Sequence, residues 1–237
     1  MSTYILVHGA WHGAWCWHKV APLLRSAGHS VYTPDLPGHG KNRSAGNVIT
    51  TTDYVNSLHA LVLEQNQPVI LVGHSMGGMV ISQLAELIPD KIRTLVYLAG
   101  FLLVQGESIN DFESRVEGSL LAPNLVMSKD KSSLRIPKHN VREALYSDCN
   151  ETDYQYALAH LQPQPVLPFL TPVNLLDARH GIVPKVYIEC LLDKALPVSA
   201  QRFMYGRTVC NKIFSLEAAH SPFFSVYNNL ANTLRQI

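Results

Sequence analysis

Pro68-Val69-Ile70-Leu71-Val72-Gly73-His74-Ser75-Met76-Gly77-Gly78-Met79-Val80-Ile81-Ser82-Gln83-Leu84-Ala85 reads as three things in succession: an apolar strand, a tight turn and a helix. The turn is Gly-His-Ser-Met-Gly. A strand that ends in G-x-S-x-G and continues as a helix is a nucleophile elbow, bent so sharply that the serine takes a strained backbone conformation with its hydroxyl exposed above the strand ends. A β-carbon at Gly73 or Gly77 is expected to strike neighbouring strand or helix backbone, so only glycine fits at either flank. The helix that starts here aims its free N–H groups and positive end at the serine, where an oxyanion would develop. Ser75 is therefore the candidate nucleophile.

Outward from the elbow, strand-like and helical runs alternate. Apolar runs over 4–7, 30–35, 92–99, 185–192 and 212–216 predict five further strands. Helical patterns over 15–27, from Thr52 or Asp53 to about 65, and over 222–234 lie between and after them. This alternation predicts a mainly parallel six-stranded α/β sheet covered on both faces, with ligands bound beyond the carboxyl ends of its strands. Residues 104–183 break the rhythm with short amphipathic pieces around 109–121, 141–146 and 153–161, followed by four prolines between 163 and 172. Structureless loops of that length are uncommon in compact domains. The expectation is one domain with a core of 1–103 and 184–237 and a mostly helical cap inserted over about 104–183, covering the serine and shaping an apolar pocket.

A serine hydroxyl needs a base, and the base needs an acid to orient it. A fold built on this elbow places them in the order serine, acid, histidine. Asp193 follows the fifth strand run and His220 the sixth, both at the edge where the elbow opens. The competing histidines are weaker: His139, His160 and His180 fall in the cap, where a polar surface role is expected, His29 adjoins a helix end, and His74 cannot turn onto its neighbour's hydroxyl. Among acids, Asp177 is in the cap, Glu189 is inside a strand and Asp35 precedes the serine. The oxyanion donors are expected at the Met76 amide and in the loop after the first strand, at the Ala10 amide. Phe101, Leu102, Leu103, Leu196, Phe223 and Phe224 are candidates for an apolar pocket, although each also suits ordinary core.

Composition narrows the chemistry. With 47% hydrophobic and 16% charged residues, the 237-residue chain supports one substantial core. A net charge of +1 with scattered lysines and arginines leaves no footprint for nucleic acid or an anionic membrane, so a small molecule is the expected partner; a homodimer is left open. Cys16, Cys149, Cys190 and Cys210 lack zinc-type spacing and are read as reduced, mostly packed thiols, and no metal or cofactor is expected. The chain enters an apolar strand within three residues without a signal-peptide pattern, and no run approaches a membrane span of about 20 residues. A cytoplasmic enzyme is expected.

His8-Gly9-Ala10-Trp11-His12-Gly13-Ala14-Trp15, Pro22-Leu23-Leu24, Ala27-Gly28-His29, Gly73-His74-Ser75-Met76-Gly77-Gly78, Asp193-Lys194 and Ala219-His220 together resemble the plant methylesterase and hydroxynitrile lyase family of the α/β-hydrolases. The resemblance spans nearly all of the chain except the cap. It implies the α/β-hydrolase fold, a Ser75, His220, Asp193 triad, oxyanion amides at Ala10 and Met76, and a helical cap. Leu36-Pro37-Gly38-His39-Gly40 looks more like the bacterial esterases of the group. The lyases it resembles carry threonine where Gly9 stands, to hold the cyanohydrin oxygen, and lysine where Ser221 stands, to stabilise departing cyanide. Both are missing here, so cyanide would leave without a fixed cation. The expectation is a serine esterase acting on small carboxylic esters through an acyl-enzyme. The alternatives are a small-molecule sensor without turnover, which the same fold permits, and, against the charge argument, a hydroxynitrile lyase.

Overall fold

A computed structural model describes residues 1–42 and 48–237. The strands are β1 (Thr3–Val7), β2 (Ser30–Tyr32), β3 (Val69–His74), β4 (Ile92–Leu98), β5 (Val126–Met127), β6 (Ser133–Arg135), β7 (Gln164–Pro165), β8 (Lys185–Cys190) and β9 (Lys212–Leu216). The helices are α1 (Val20–Ser26), α2 (Thr51–Leu63), α3 (Met76–Leu87), α4 (Ile109–Glu113), α5 (Lys138–Leu145), α6 (Glu151–His160), α7 (Leu167–Leu170), α8 (Val198–Gly206), α9 (Pro222–Ser225) and α10 (Tyr227–Leu234).

The six expected strands form one parallel sheet in the order β2-β1-β3-β4-β8-β9. Every residue of β3 and β8 is buried, as continuous apolar runs covered on two faces require. The chain steps outward from β1 to β2 and then back across β1 to β3. Right-handed crossovers in opposite directions put α1 on one face, and α2 and α3 on the other. α10 returns to pack on α1. Register pairs Val7 with Gly73 and His74 with Leu98, so β1, β3 and β4 end together at the point where the strand order reverses. That reversal opens the crevice in which α/β sheets bind ligands.

Local chemistry redraws several expected boundaries. The helix expected over 15–27 is a 3₁₀ turn, Ala14–Trp17, followed by α1. The strand expected to reach Asp35 stops at Tyr32, and the Asp35 carboxylate instead accepts the amides of Ala14 at 2.6 Å and Lys41 at 3.0 Å. α2 is capped by Thr50 rather than by Thr52 or Asp53: Thr50 Oγ1 accepts the Asp53 amide, and Asp53 answers as the acidic partner of a capping box. The closing helix breaks at Val226, whose φ of −125° and ψ of 36° leave the helical range.

Residues 104–183 hold α4, α5, α6 and α7, and also an antiparallel sheet in the order β5-β6-β7. Strands of two or three residues leave no periodic trace in a sequence. Among the described residues no helix is long and apolar enough to cross a membrane.

Candidate active site

Ser75 stands between β3 and α3 with φ +51° and ψ −122°, a backbone state that a β-carbon makes costly, at about 1–3 kcal/mol. Its own amide and carbonyl hold it there. Ser75 N–H donates to Leu98 O at 3.2 Å, and Ser75 O accepts from Gly78 N at 2.9 Å and Phe101 N at 3.0 Å. The flanking glycines are spatial necessities: a β-carbon at Gly73 would lie 2.5 Å from Gly77 O, and one at Gly77 would lie 2.8 Å from Val7 O. Ser75 is only 5% exposed. Residues 104–183 are hydrogen-bonded to the loops after β1, β8 and β9 and cover the strand ends.

Asp193 and His220 meet. His220 Nδ1–H donates to Asp193 Oδ2 at 2.7 Å, with both side chains buried. That bond leaves Nε2 as the basic nitrogen. Among the described residues no hydrogen bond joins Ser75 Oγ to His220, and the two loops are instead joined through the neighbour of Ser75. His74 Nε2–H donates to His220 O at 2.8 Å, with the rings 4.7 Å apart. Burial, reinforced by His220 and His12 close by, holds His74 well below the usual imidazole range, so it stays neutral.

Sequence reasoning missed how completely Asp193 is fixed. Its Oδ1 accepts the amides of Ala195 and Leu196, each at 2.8 Å, and its Oδ2 accepts Gln201 Nε2 at 3.3 Å beside His220. Gln201, fully buried on α8, also clamps both backbone groups of Cys190 and the carbonyl of Leu196. A single glutamine on a helix face beside Ala200 and Met204 was the available signal.

The loop after β1 brings Ala10 to the elbow. A β-carbon on Gly9 would lie 2.9 Å from Ser75 Cβ and 2.8 Å from His74 Nδ1, so this backbone has no room for the threonine of the lyases. Among the described residues neither the Ala10 nor the Met76 amide donates to a protein acceptor, which suits groups waiting for an oxyanion. Two histidines set this loop. His8 Nδ1–H donates to Gly9 O while Nε2 accepts Leu36 N–H at 3.0 Å, and His12 Nδ1–H donates to Ala10 O at 2.8 Å. Burial pushes His12 down to about 3, so its Nε2 remains an acceptor, and Tyr146 O–H fills it at 2.7 Å. The next residue, Trp11, has φ +62°; its indole N–H donates to Leu134 O and its carbonyl accepts Gln162 N–H, each at 3.0 Å.

The other candidates lie elsewhere. His180, expected at a polar surface, is 5% exposed and bonds to Tyr97 Oη at 3.0 Å beneath the sheet. Glu189 pairs in bidentate fashion with Arg202, and Asp35 serves backbone amides. Phe223 packs on His12, Trp17 and His74, and Phe224 on Trp15 and Tyr156; both are core rather than pocket wall.

Residues 4–231 match the alpha/beta hydrolase family. Methylesterase 1 of Arabidopsis thaliana is 31% identical over 252 residues, covering 99% of this chain and 95% of its own. A longer chloroplastic relative from the same plant is 33% identical over 252 residues, and this chain spans 64% of its length. The crystal structure of a pyrethroid hydrolase from Sphingobium faniae superposes with a TM-score of 0.87 at 29% identity, over 99% of this chain and 96% of that one. By the breadth of these matches, the chain belongs to the alpha/beta hydrolase family, on the branch that holds the methylesterases.

Proposed function

We propose that the protein is a carboxylic ester hydrolase in which Ser75 attacks the ester carbonyl and His220 takes its proton. His220 Nε2 receives the Ser75 proton as the oxygen–carbon bond forms, and then passes it to the departing alcohol. The acyl-enzyme left on Ser75 is opened by a water that His220 deprotonates, which releases the acid. Asp193 keeps the imidazole in the tautomer with the proton on Nδ1 and stabilises the imidazolium. The tetrahedral oxyanion sits between the amides of Ala10 and Met76.

The observation that carries this reading is the 2.7 Å bond from His220 to a carboxylate already saturated with donors, beside a serine at φ +51°. The relatives named above, a methylesterase and a pyrethroid hydrolase, support esters as the substrate class, methyl esters among them. Ser75→Ala should lower turnover of p-nitrophenyl acetate or butyrate by about a thousandfold or more. Undiminished turnover would remove Ser75 from the mechanism. Mandelonitrile should not be cleaved in a Ser75-dependent manner, because Gly9 and Ser221 provide neither a hydroxyl nor a cation for cyanide departure.

A further inference from the structure

The loop carrying His220 is held from two directions. From the core come Asp193 on the ring, His74 on the His220 carbonyl, and a bond from Leu192 N–H to Ala218 O at 3.0 Å. From residues 104–183 comes Asp148, whose Oδ2 accepts the Ala219 amide at 2.8 Å, immediately before the histidine. Two residues upstream, Tyr146 donates to His12, the ring that holds the Ala10 carbonyl. Tyr146 and Asp148 share one turn at the end of α5, closed by Cys149 N–H on Tyr146 O at 3.1 Å.

We propose that this turn is a brace, in which Tyr146 and Asp148 are positioning residues that fix the oxyanion loop and the histidine loop relative to each other. The inference rests on the esterase reading of the same site. A charged acceptor on a backbone N–H is stronger than a neutral one. Tyr146 is fully buried, so its hydroxyl has no water to exchange with. The brace explains why a residue inserted between strands reaches the catalytic loops at two points with one rigid turn. It also makes the alignment of His220 with the oxyanion amides depend on residues 104–183 being in place, not only on the core.

The test uses Asp148→Ala, Asp148→Asn and Tyr146→Phe in the whole chain, read by steady-state kinetics on p-nitrophenyl butyrate and by the far-downfield NMR resonance of the His220 Nδ1 proton, assigned by its loss in His220→Ala. Asp148→Ala should lower kcat about tenfold with KM within about twofold, because misplacing a catalytic group by a fraction of an ångström costs rate rather than affinity. Asp148→Asn, which keeps an oxygen for Ala219 N–H, should recover most of that loss. The resonance should broaden in Asp148→Ala and stay sharp in Asp148→Asn. Tyr146→Phe removes one oxygen at nearly constant volume and should lower kcat in the same way, so the brace can be read even if Asp148→Ala folds poorly. Unchanged kcat and resonance in both Asp148→Ala and Tyr146→Phe would overturn the proposal. The resonance does not require turnover, so the brace can be judged even if the wild-type protein hydrolyses none of the esters.

Discussion

The parallel sheet and the segment inserted between β4 and β8 are held together by different means. In the sheet, β3 and β8 are buried at every residue; β3 begins as a run of valine, isoleucine and leucine, and β8 buries Lys185 and Glu189 with hydrogen-bonded partners beside Val186, Tyr187 and Ile188. In the insertion, β5 is exposed at both residues, and α4 to α7 run for ten residues or fewer. Elements this short cannot stabilise themselves in isolation. The insertion adds buried apolar side chains of its own to the core, Ile109, Phe112, Val141, Leu145 and Phe169 among them, and is further fastened by individual polar contacts: Trp11 to Leu134, His12 to Tyr146, His39 to Gln164, Ser119 to Ala195 and Asp148 to Ala219. One region is held by continuous ladders and packing, the other by packing joined to a seam of hydrogen bonds, and the proposed catalytic groups lie along that seam.

Acid should act on the seam first and most strongly. Burial holds His12 near a pKa of about 3 and His39 near about 4, against about 6.5 in an unfolded chain. Below pH 6.5 the unfolded chain takes up protons that the folded one refuses. The stability these neutral rings contribute is therefore complete above pH 6.5 and declines as pH falls toward their folded values. At pH 5 each ring should cost about 2 kcal/mol, and His8, His74 and His180, also shifted down, add to the loss. Urea midpoints measured between pH 7.5 and pH 5 should fall steeply. A flat profile would mean that these rings are not held neutral.

Glycine substitutions sharpen the contrast between packing and seam. Gly73→Ala puts a β-carbon 2.5 Å from Gly77 O, where both partners are backbone and neither can swing aside. Overpacking of this kind should cost about 3 kcal/mol and displace the elbow, so ester turnover should fall along with the unfolding midpoint. Gly118, in the insertion, has φ +78° with open space around it. Gly118→Ala should cost only the left-handed conformation, about 1 kcal/mol, and leave turnover nearly unchanged. Equal losses at the two sites would erase the distinction.

How much of this was legible in the sequence divides along the same line. The six strands, the elbow and the order of the strand-end residues Ser75, Asp193 and His220 were readable because buried parallel strands are long apolar runs and sharp turns demand glycine. Tyr146 and Asp148 were not, since each acts through a hydrogen bond to a group distant in sequence, and such a bond imposes no spacing. Gln201 acts through several groups that no pattern marks, whereas the cap of α2 did carry a Thr50-to-Asp53 spacing, and the expectation of Thr52 or Asp53 missed it. Phe223 and Phe224 suited either a pocket wall or ordinary core from their place after His220, and in the fold α9 buries both against aromatic neighbours.

The smallest effect belongs to the ion pair at the outer edge of the seam. Lys19 Nζ lies 2.6 Å from Asp153 Oδ1, and so ties the chain just before α1 to α6 of the insertion. Lys19 retains 24% side-chain exposure, and Asp153 is further satisfied by Asn150 Nδ2 at 2.9 Å. Removing the lysine therefore leaves a carboxylate that still has a partner, unlike a buried charge abandoned alone. Lys19→Met should preserve the packing of the stem along Tyr227, whose ring centroid is 5.0 Å from the ammonium, while deleting the charge. The expected loss is below about 1 kcal/mol and should shrink in high salt, where the wild-type pair is itself screened. Thermal midpoints of both proteins at low and high salt decide the matter. A loss of several kcal/mol that persists in salt would show that the insertion depends on this one charge rather than on the buried bonds to the catalytic loops.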